Sequence, residues 1–121
     1  MTTVLIVDDE MLIRWSVAES LVAAGFDVVE AGTAREAIER LTDFGGAIGV
    51  TVLDLRLPDA TGFGLLRRIL AMSPGCRIIL ITADATAGIL TQAVEAGAFS
   101  ALAKPFDMHI LAGLVRQAAA G

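Results

Sequence analysis

The sequence predicts an α/β fold, a doubly wound parallel sheet of five strands with helices on both faces. Three observations predict it. Five short apolar runs alternate with five helical patterns, in the order βαβαβαβαβα. The connections are short, so each helix crosses over right-handedly to the next parallel strand. Apolar residues make up 55% of the 121, mostly Ala, Leu, Ile and Val, with a mean hydropathy of +0.72. Strands covered on both faces need that excess.

Each element has its own signal. Val4–Val7 is an apolar run and the first strand, followed by Asp8-Asp9-Glu10. Glu10–Ala24 places Ile13, Val17, Leu21 and Ala24 on one stripe, which predicts a helix. Asp27–Glu30 is the second strand. Thr33–Leu41 opens on Thr33-Ala34-Arg35-Glu36, which has capping-box spacing, and turns Ala34, Ala37, Ile38 and Leu41 inward. Ile48–Leu53 is the third strand and delivers Asp54 into Leu55-Arg56-Leu57-Pro58-Asp59. Phe63–Met72 is a helix carrying Leu65, Leu66, Ile69 and Leu70, stopped near Ser73-Pro74-Gly75. Arg77–Ile81 is the fourth strand and runs into Thr82-Ala83. Thr86–Ala96 is a helix closed by Gly97 at C′. Phe99–Leu102 is the fifth strand and leads to Lys104-Pro105. Asp107–Ala119 is the last helix, with Asp107 as N-cap.

The length suits one domain, residues 1–121, with one core and no staple. There is no internal repeat, low-complexity segment or linker. The closing Ala118-Ala119-Ala120-Gly121 is too short to decide whether a linker starts there. The longest stretches without a charged residue, Phe44–Leu53 and Ala85–Val94, are ten residues each. A spanning helix needs about 18 to 20, so no membrane span is expected. The net charge is −5 and no basic patch stands out, which argues against direct contact with nucleic acid. No targeting segment is evident. The lone Cys76 has no internal disulfide partner, and a cytoplasmic, reducing setting is expected.

In such sheets ligands bind beyond the carboxyl ends of the strands. The residues there are Asp8 and Asp9 after the first strand, Asp54 after the third, Thr82 at the fourth and Lys104 after the fifth. Two like charges 4 Å apart repel by about 4 kcal/mol at an effective dielectric of 20. Clustered carboxylates therefore take up protons or hold a hard cation. Magnesium uses one or two carboxylates, keeps waters and leaves room for phosphate oxygens. An aspartate there can attack phosphorus to give an aspartyl phosphate, with metal and lysine offsetting charge on the equatorial oxygens.

Asp8-Asp9-Glu10, Asp54 with Leu57-Pro58 and Gly62, Thr82-Ala83, Gly97-Ala98 and Lys104-Pro105-Phe106 occur in that order. Together they resemble the receiver domain of two-component response regulators, over essentially the whole chain. The resemblance implies a (βα)5 flavodoxin-like fold with strand order 2-1-3-4-5. It implies that Asp54 takes a phosphoryl group from the phosphohistidine of a sensor histidine kinase or phosphotransfer protein. Asp9, Asp54 and the backbone carbonyl of Arg56 would ligate Mg2+ directly, with Asp8 acting through water. Thr82 and Lys104 would contact the phosphoryl oxygens, and the Lys104-Pro105 bond would be cis. Such a domain turns over no free substrate; it catalyses only its own phosphorylation and dephosphorylation. Its output and homodimer face is the fourth helix, fifth strand and last helix. The motif wording is closest to receivers of transcription activators, which would make the chain an N-terminal fragment of a longer regulator.

One position departs from the pattern. Receivers of this kind usually carry Tyr or Phe three residues before the lysine, and here Ala101 stands there. A receiver-like scaffold that works by protein binding, with weak or no phosphorylation switching, is the alternative. Two other classes fit less well. A phosphatase of the haloacid-dehalogenase type wants Asp two residues after its nucleophile, and position 56 is Arg. A nucleotide- or flavin-binding protein of this fold lacks its glycine-rich loop, since Phe44-Gly45-Gly46 precedes a strand.

The remaining residues carry paired readings. Arg56 is a solvated arginine or reaches toward Asp84 over the site. His109, the single histidine, is an ordinary helix residue, and Cys76 an inert core thiol. Trp15 packs half-buried or joins Arg14 at the site mouth to meet a partner helix. The uncharged Ala85–Val94 region holds Gly88. With Ile110, Leu111, Leu114 and Val115 it offers more apolar area than one face needs.

Overall fold

A computed structural model describes residues 2–84 and 86–120. Ala85 and Gly121, which bound two of the segments read above, lie outside the described residues. The sheet strands are β1 (Thr3–Val7), β2 (Asp27–Ala31), β3 (Ile48–Asp54), β4 (Arg77–Thr82) and β5 (Ser100–Ala103). The helices are α1 (Met11–Ala23), α2 (Ala34–Phe44), α3 (Gly64–Met72), α4 (Ala87–Glu95) and α5 (Met108–Ala120). All strand pairs are parallel, in the order β2-β1-β3-β4-β5. This is the flavodoxin-like fold and the order expected above.

Successive side chains of a strand point to opposite faces, and this splits the core in two. Leu5, Val7, Leu53, Ile78 and Leu80 pack with Leu41 of α2, Leu66 and Ile69 of α3 and Ala93 of α4. Val4, Ile6, Val50, Val52, Ile79 and Ile81 pack with Val17 and Leu21 of α1 and Leu111 and Val115 of α5. Each fully buried Val, Leu or Ile contributes about 1.5 to 3 kcal/mol.

Helix ends follow local chemistry. Thr33 Oγ1 accepts from the Glu36 N–H at 3.0 Å, as the capping-box spacing predicts. The reciprocal half differs: Glu36 Oε1 accepts from Gly32 N–H at 2.7 Å. The first two amides of α2 are capped by a distant residue, with Asp59 accepting from Ala34 and Arg35 at 2.8 and 3.0 Å. These bonds hold the Asp59 carboxyl below its ordinary pKa. Asp107 accepts from the His109 N–H at 2.7 Å, confirming it as the cap of α5.

Several features differ from the sequence reading. A 3-10 turn, Gly45–Ala47, precedes β3, and a two-residue antiparallel ribbon pairs Arg56–Leu57 with Ala60–Thr61. Segments this short have no period to detect. Trp15 is 57% exposed rather than half-buried in packing. Leu111 and Val115 are fully interior, so only Ile110 and part of Leu114 remain of the apolar surface expected on α5. Helical spacing explains this, because Leu111 and Val115 are four apart and share the inward face. His109 is exposed on α5. Cys76 is buried with Sγ 3.3 Å from Thr51 Oγ1, and burial pushes its pKa up, as suits an inert thiol. Among the described residues, no helix is long and apolar enough to cross a membrane.

Candidate functional site

The charged and hydroxyl side chains gather where β1, β3, β4 and β5 end. Asp8 follows β1, its N–H donating to Ala31 O at 3.1 Å. Its Oδ1 accepts from the Glu10 N–H at 2.9 Å, which turns the chain into α1. The turn buries Asp8 completely and leaves Asp9 exposed. Asp54, the last residue of β3, is also buried, and its Oδ1 accepts from the Arg56 N–H at 3.2 Å. Thr82 ends β4, one residue past Ile81, the register partner of Asp54. Its buried Oγ1 accepts from the Asp84 N–H at 3.0 Å.

Lys104 links these strands. Its N–H donates to Thr82 O at 2.7 Å, which fixes the chain beyond β5, and the Lys104-Pro105 bond is cis. Its Nζ lies 2.9 Å from Asp8 Oδ2, 2.9 Å from Glu10 Oε1 and 3.2 Å from Asp54 Oδ2. The Asp8 contact is a close charge pair without a directed hydrogen bond, so Asp8 Oδ2 is a buried acceptor left unsatisfied. Burial alone would lower the Lys104 pKa. The pull of the three carboxylates of Asp8, Glu10 and Asp54 outweighs it, and the pKa is raised. For Asp54, burial is the largest influence and raises the pKa. The charge of Asp8 adds to the rise, while the Arg56 N–H and Lys104 oppose it.

Oxygens of Asp8, Glu10 and Asp54 lie within 4.8 Å of one another. Three carboxylates facing one ammonium leave the site short of positive charge. An all-oxygen donor set with an unsatisfied buried oxygen suits a hard divalent cation. Asp9, expected among the direct ligands, is not in this group, and Glu10 is. Both residues are exposed, and the Asp8–Glu10 turn brings the Glu10 carboxylate to Lys104. The acidic run itself was the available signal.

Two other expectations are resolved by geometry. Arg56 Nη2 stands 3.7 Å from Asp84 Oδ2, joining the loops after β3 and β4. Arg14 is not free for a partner: it donates to Asp8 O at 2.8 Å and to Glu30 Oε1 at 3.1 Å. A mainly apolar cavity of about 350 Å³ does open beside Lys104, lined by Glu10, Ile13, Ala83, Pro105, Phe106 and Met108. Ala101 packs toward the α2–α4 side of the sheet. Phe99 packs on the opposite side, its ring 5.5 Å from the Arg77 guanidinium, so it does not replace the missing aromatic.

Comparison with known proteins shows the family. Residues 4–116 match the family model of the response regulator receiver domain. The C4-dicarboxylate transport transcriptional regulatory protein DctD of Rhizobium meliloti is 34% identical over 117 residues, covering 96% of this chain and 25% of that protein. Chemotaxis protein CheY of Thermotoga maritima is 31% identical over 105 residues, 86% of each chain. A solved response regulator from Burkholderia pseudomallei, holding a phosphorylated aspartic acid, a calcium ion and citrate, superposes with a TM-score of 0.83. It is 29% identical and covers 99% of this chain and 70% of that one. The chain spans about a quarter of the length of the first curated relatives it matches.

Proposed function

The chain belongs to the response regulator receiver domain family, and from that premise we propose that it is a phosphorylation-controlled signalling switch of a two-component system. The observation that carries the reading is the convergence of Asp8, Glu10 and Asp54 on Lys104 Nζ, all within 3.2 Å of it. Asp54 attacks the phosphorus of a phosphohistidine on a sensor histidine kinase or phosphotransfer protein. The new O–P bond replaces the N–P bond, and the imidazole leaves. Lys104 pairs with an equatorial phosphoryl oxygen and offsets its charge. The Thr82 hydroxyl donates to another.

Asp8, Glu10 and Asp54 are the side chains suited to hold Mg2+, and the Arg56 carbonyl is proposed as a further ligand. Asp9, exposed at the same turn as Glu10, is proposed as a further direct ligand. Bound magnesium would supply charge neutralisation for the phosphoryl oxygens. The chain turns over no free substrate and catalyses only its own phosphorylation and dephosphorylation.

Output runs through α4, β5 and α5, with homodimerisation by the same face. Regulation of transcription is the proposed downstream effect, supported by the naming of DctD as a transcriptional regulator. In that reading the chain is an N-terminal receiver of a longer cytoplasmic regulator, with DNA contact left to another module. Ala101 favours a second reading, a receiver-like scaffold that switches weakly, because no ring follows Thr82 when it moves.

Incubation with acetyl phosphate, with and without Mg2+, followed by intact mass, tests the proposal. A Mg2+-dependent phosphate adduct, absent in Asp54→Asn, is the expected result. An adduct that forms equally in Asp54→Asn would sink the acceptor assignment, and no adduct at all would favour the scaffold.

A further inference from the structure

We infer that Arg14 is a positioning residue for the metal-binding carboxylates, acting through the backbone carbonyl of Asp8. The inference rests on the magnesium reading above and adds a residue to it.

Asp8 has four polar handles, and three are tied. Its N–H donates to Ala31 O, its Oδ1 accepts from Glu10 N–H, and its carbonyl accepts from Arg14 Nη1 at 2.8 Å. Only Oδ2 stays free of a directed hydrogen bond, facing Lys104. The carbonyl bond is the one that reaches in from α1. It fixes the peptide plane that opens the Asp9-Glu10 turn, and so the direction of both the Asp8 and Glu10 carboxylates.

Arg14 is itself held in place. Its side chain is only 19% exposed, and its Nε donates to Glu30 Oε1 of β2. Room for it comes from Gly32, where a Cβ would sit 2.9 Å from Arg14 Nη1. Gly32 does not have positive φ, so its backbone would accept alanine, and the crowding falls on the tip of the arginine. A partly exposed pair such as Arg14–Glu30 adds little stability by itself. Its geometric effect is larger: residues that orient metal ligands typically change metal affinity by about 10- to 100-fold when removed.

Charge and positioning predict opposite signs here. A guanidinium acting only through its positive charge weakens cation binding, and removing it would tighten Mg2+. A guanidinium that sets the ligand direction strengthens binding, and removing it would weaken Mg2+.

Calorimetric titration of the 121-residue chain with MgCl2 at neutral pH separates them, with folding of each variant checked by urea denaturation. Arg14→Met is expected to bind Mg2+ about tenfold more weakly. Arg14→Lys is expected to fall between, since one ammonium cannot serve both partners at the arginine's angles. Gly32→Ala, which displaces the guanidinium and keeps its charge, is expected to weaken binding as well. Unchanged or tighter affinity in folded Arg14→Met overturns the inference. If that variant does not fold, Gly32→Ala decides, and wild-type affinity there overturns it. An unmutated chain that binds no Mg2+ defeats the magnesium reading itself, a separate outcome from variants that match it.

Discussion

Lys104 Nζ lies 3.2 Å from Asp54 Oδ2, and the two residues are 50 positions apart in the chain. Both side chains are more than nine-tenths buried. Lys104 is the ammonium that offsets Asp8, Glu10 and Asp54 together, so it is the costly member to remove, and the first prediction follows from that.

Lys104→Ala leaves Asp8 and Asp54 buried with no nearby ammonium. Breaking a buried pair by removing one partner costs about 3 to 5 kcal/mol. Urea denaturation at neutral pH without metal should show a loss of that order. The loss should shrink when MgCl2 is added, because the cation supplies the missing charge. A loss of under about 1 kcal/mol, as for an exposed pair, would contradict the pairing.

The raised pKa of Asp54 gives a pH dependence with a definite sign. Its folded-state value lies above the ordinary 3.8. The contribution is therefore fully present below pH 3.8 and is lost as pH rises through the folded-state value. Asp54→Asn removes the titration. In EDTA the variant should be more stable than the parent at neutral pH, with the gap closing toward pH 3.8. Denaturation curves across that range check it, and a gap that widens on acidification would be the wrong sign.

Arg56 and Asp84 are 72% and 36% exposed, so their pair is worth at most about 1 kcal/mol. Arg56→Ala should leave stability almost unchanged. It should nonetheless shorten the life of the phosphoryl group by a few-fold, because the arginine bridges the loops after β3 and β4 beside Asp54. Timed intact mass after acetyl phosphate removal measures this; an unaltered decay rate would assign Arg56 to the solvent.

Gly97 has φ +113, and a Cβ there would lie 2.6 Å from Leu70 Cδ1. Gly97→Ala should cost about 1 to 3 kcal/mol, from a backbone conformation that side chains rarely adopt plus the clash. Adding Leu70→Ala relieves the clash and leaves the backbone part. Thermal melts of the single and double variants would show whether any deficit survives the double change.

The sheet was legible because its strands read as uninterrupted apolar runs and its helices keep a 3.6-residue spacing. Val4–Val7 and Arg77–Ile81 could be placed to within a residue. The carboxyl ends of those runs then pointed to Asp8, Asp54, Thr82 and Lys104. What stayed hidden lies where no period operates. The reach of Glu10 to Lys104 depends on a turn closed by one hydrogen bond to Asp8. The Asp59 cap on α2 comes from 25 residues downstream of Ala34. Arg14, read as standing at the site mouth to meet a partner helix, instead binds the Asp8 carbonyl, a contact no spacing announces.

Glu10 and Lys104 touch across 94 residues of chain, so β1 and β5, near opposite ends of the polypeptide, must both be docked before this contact exists. No partly assembled intermediate that lacks either end can display it. Competence to react would then require both ends of the chain to be in place, and uptake of label could report that the two are joined.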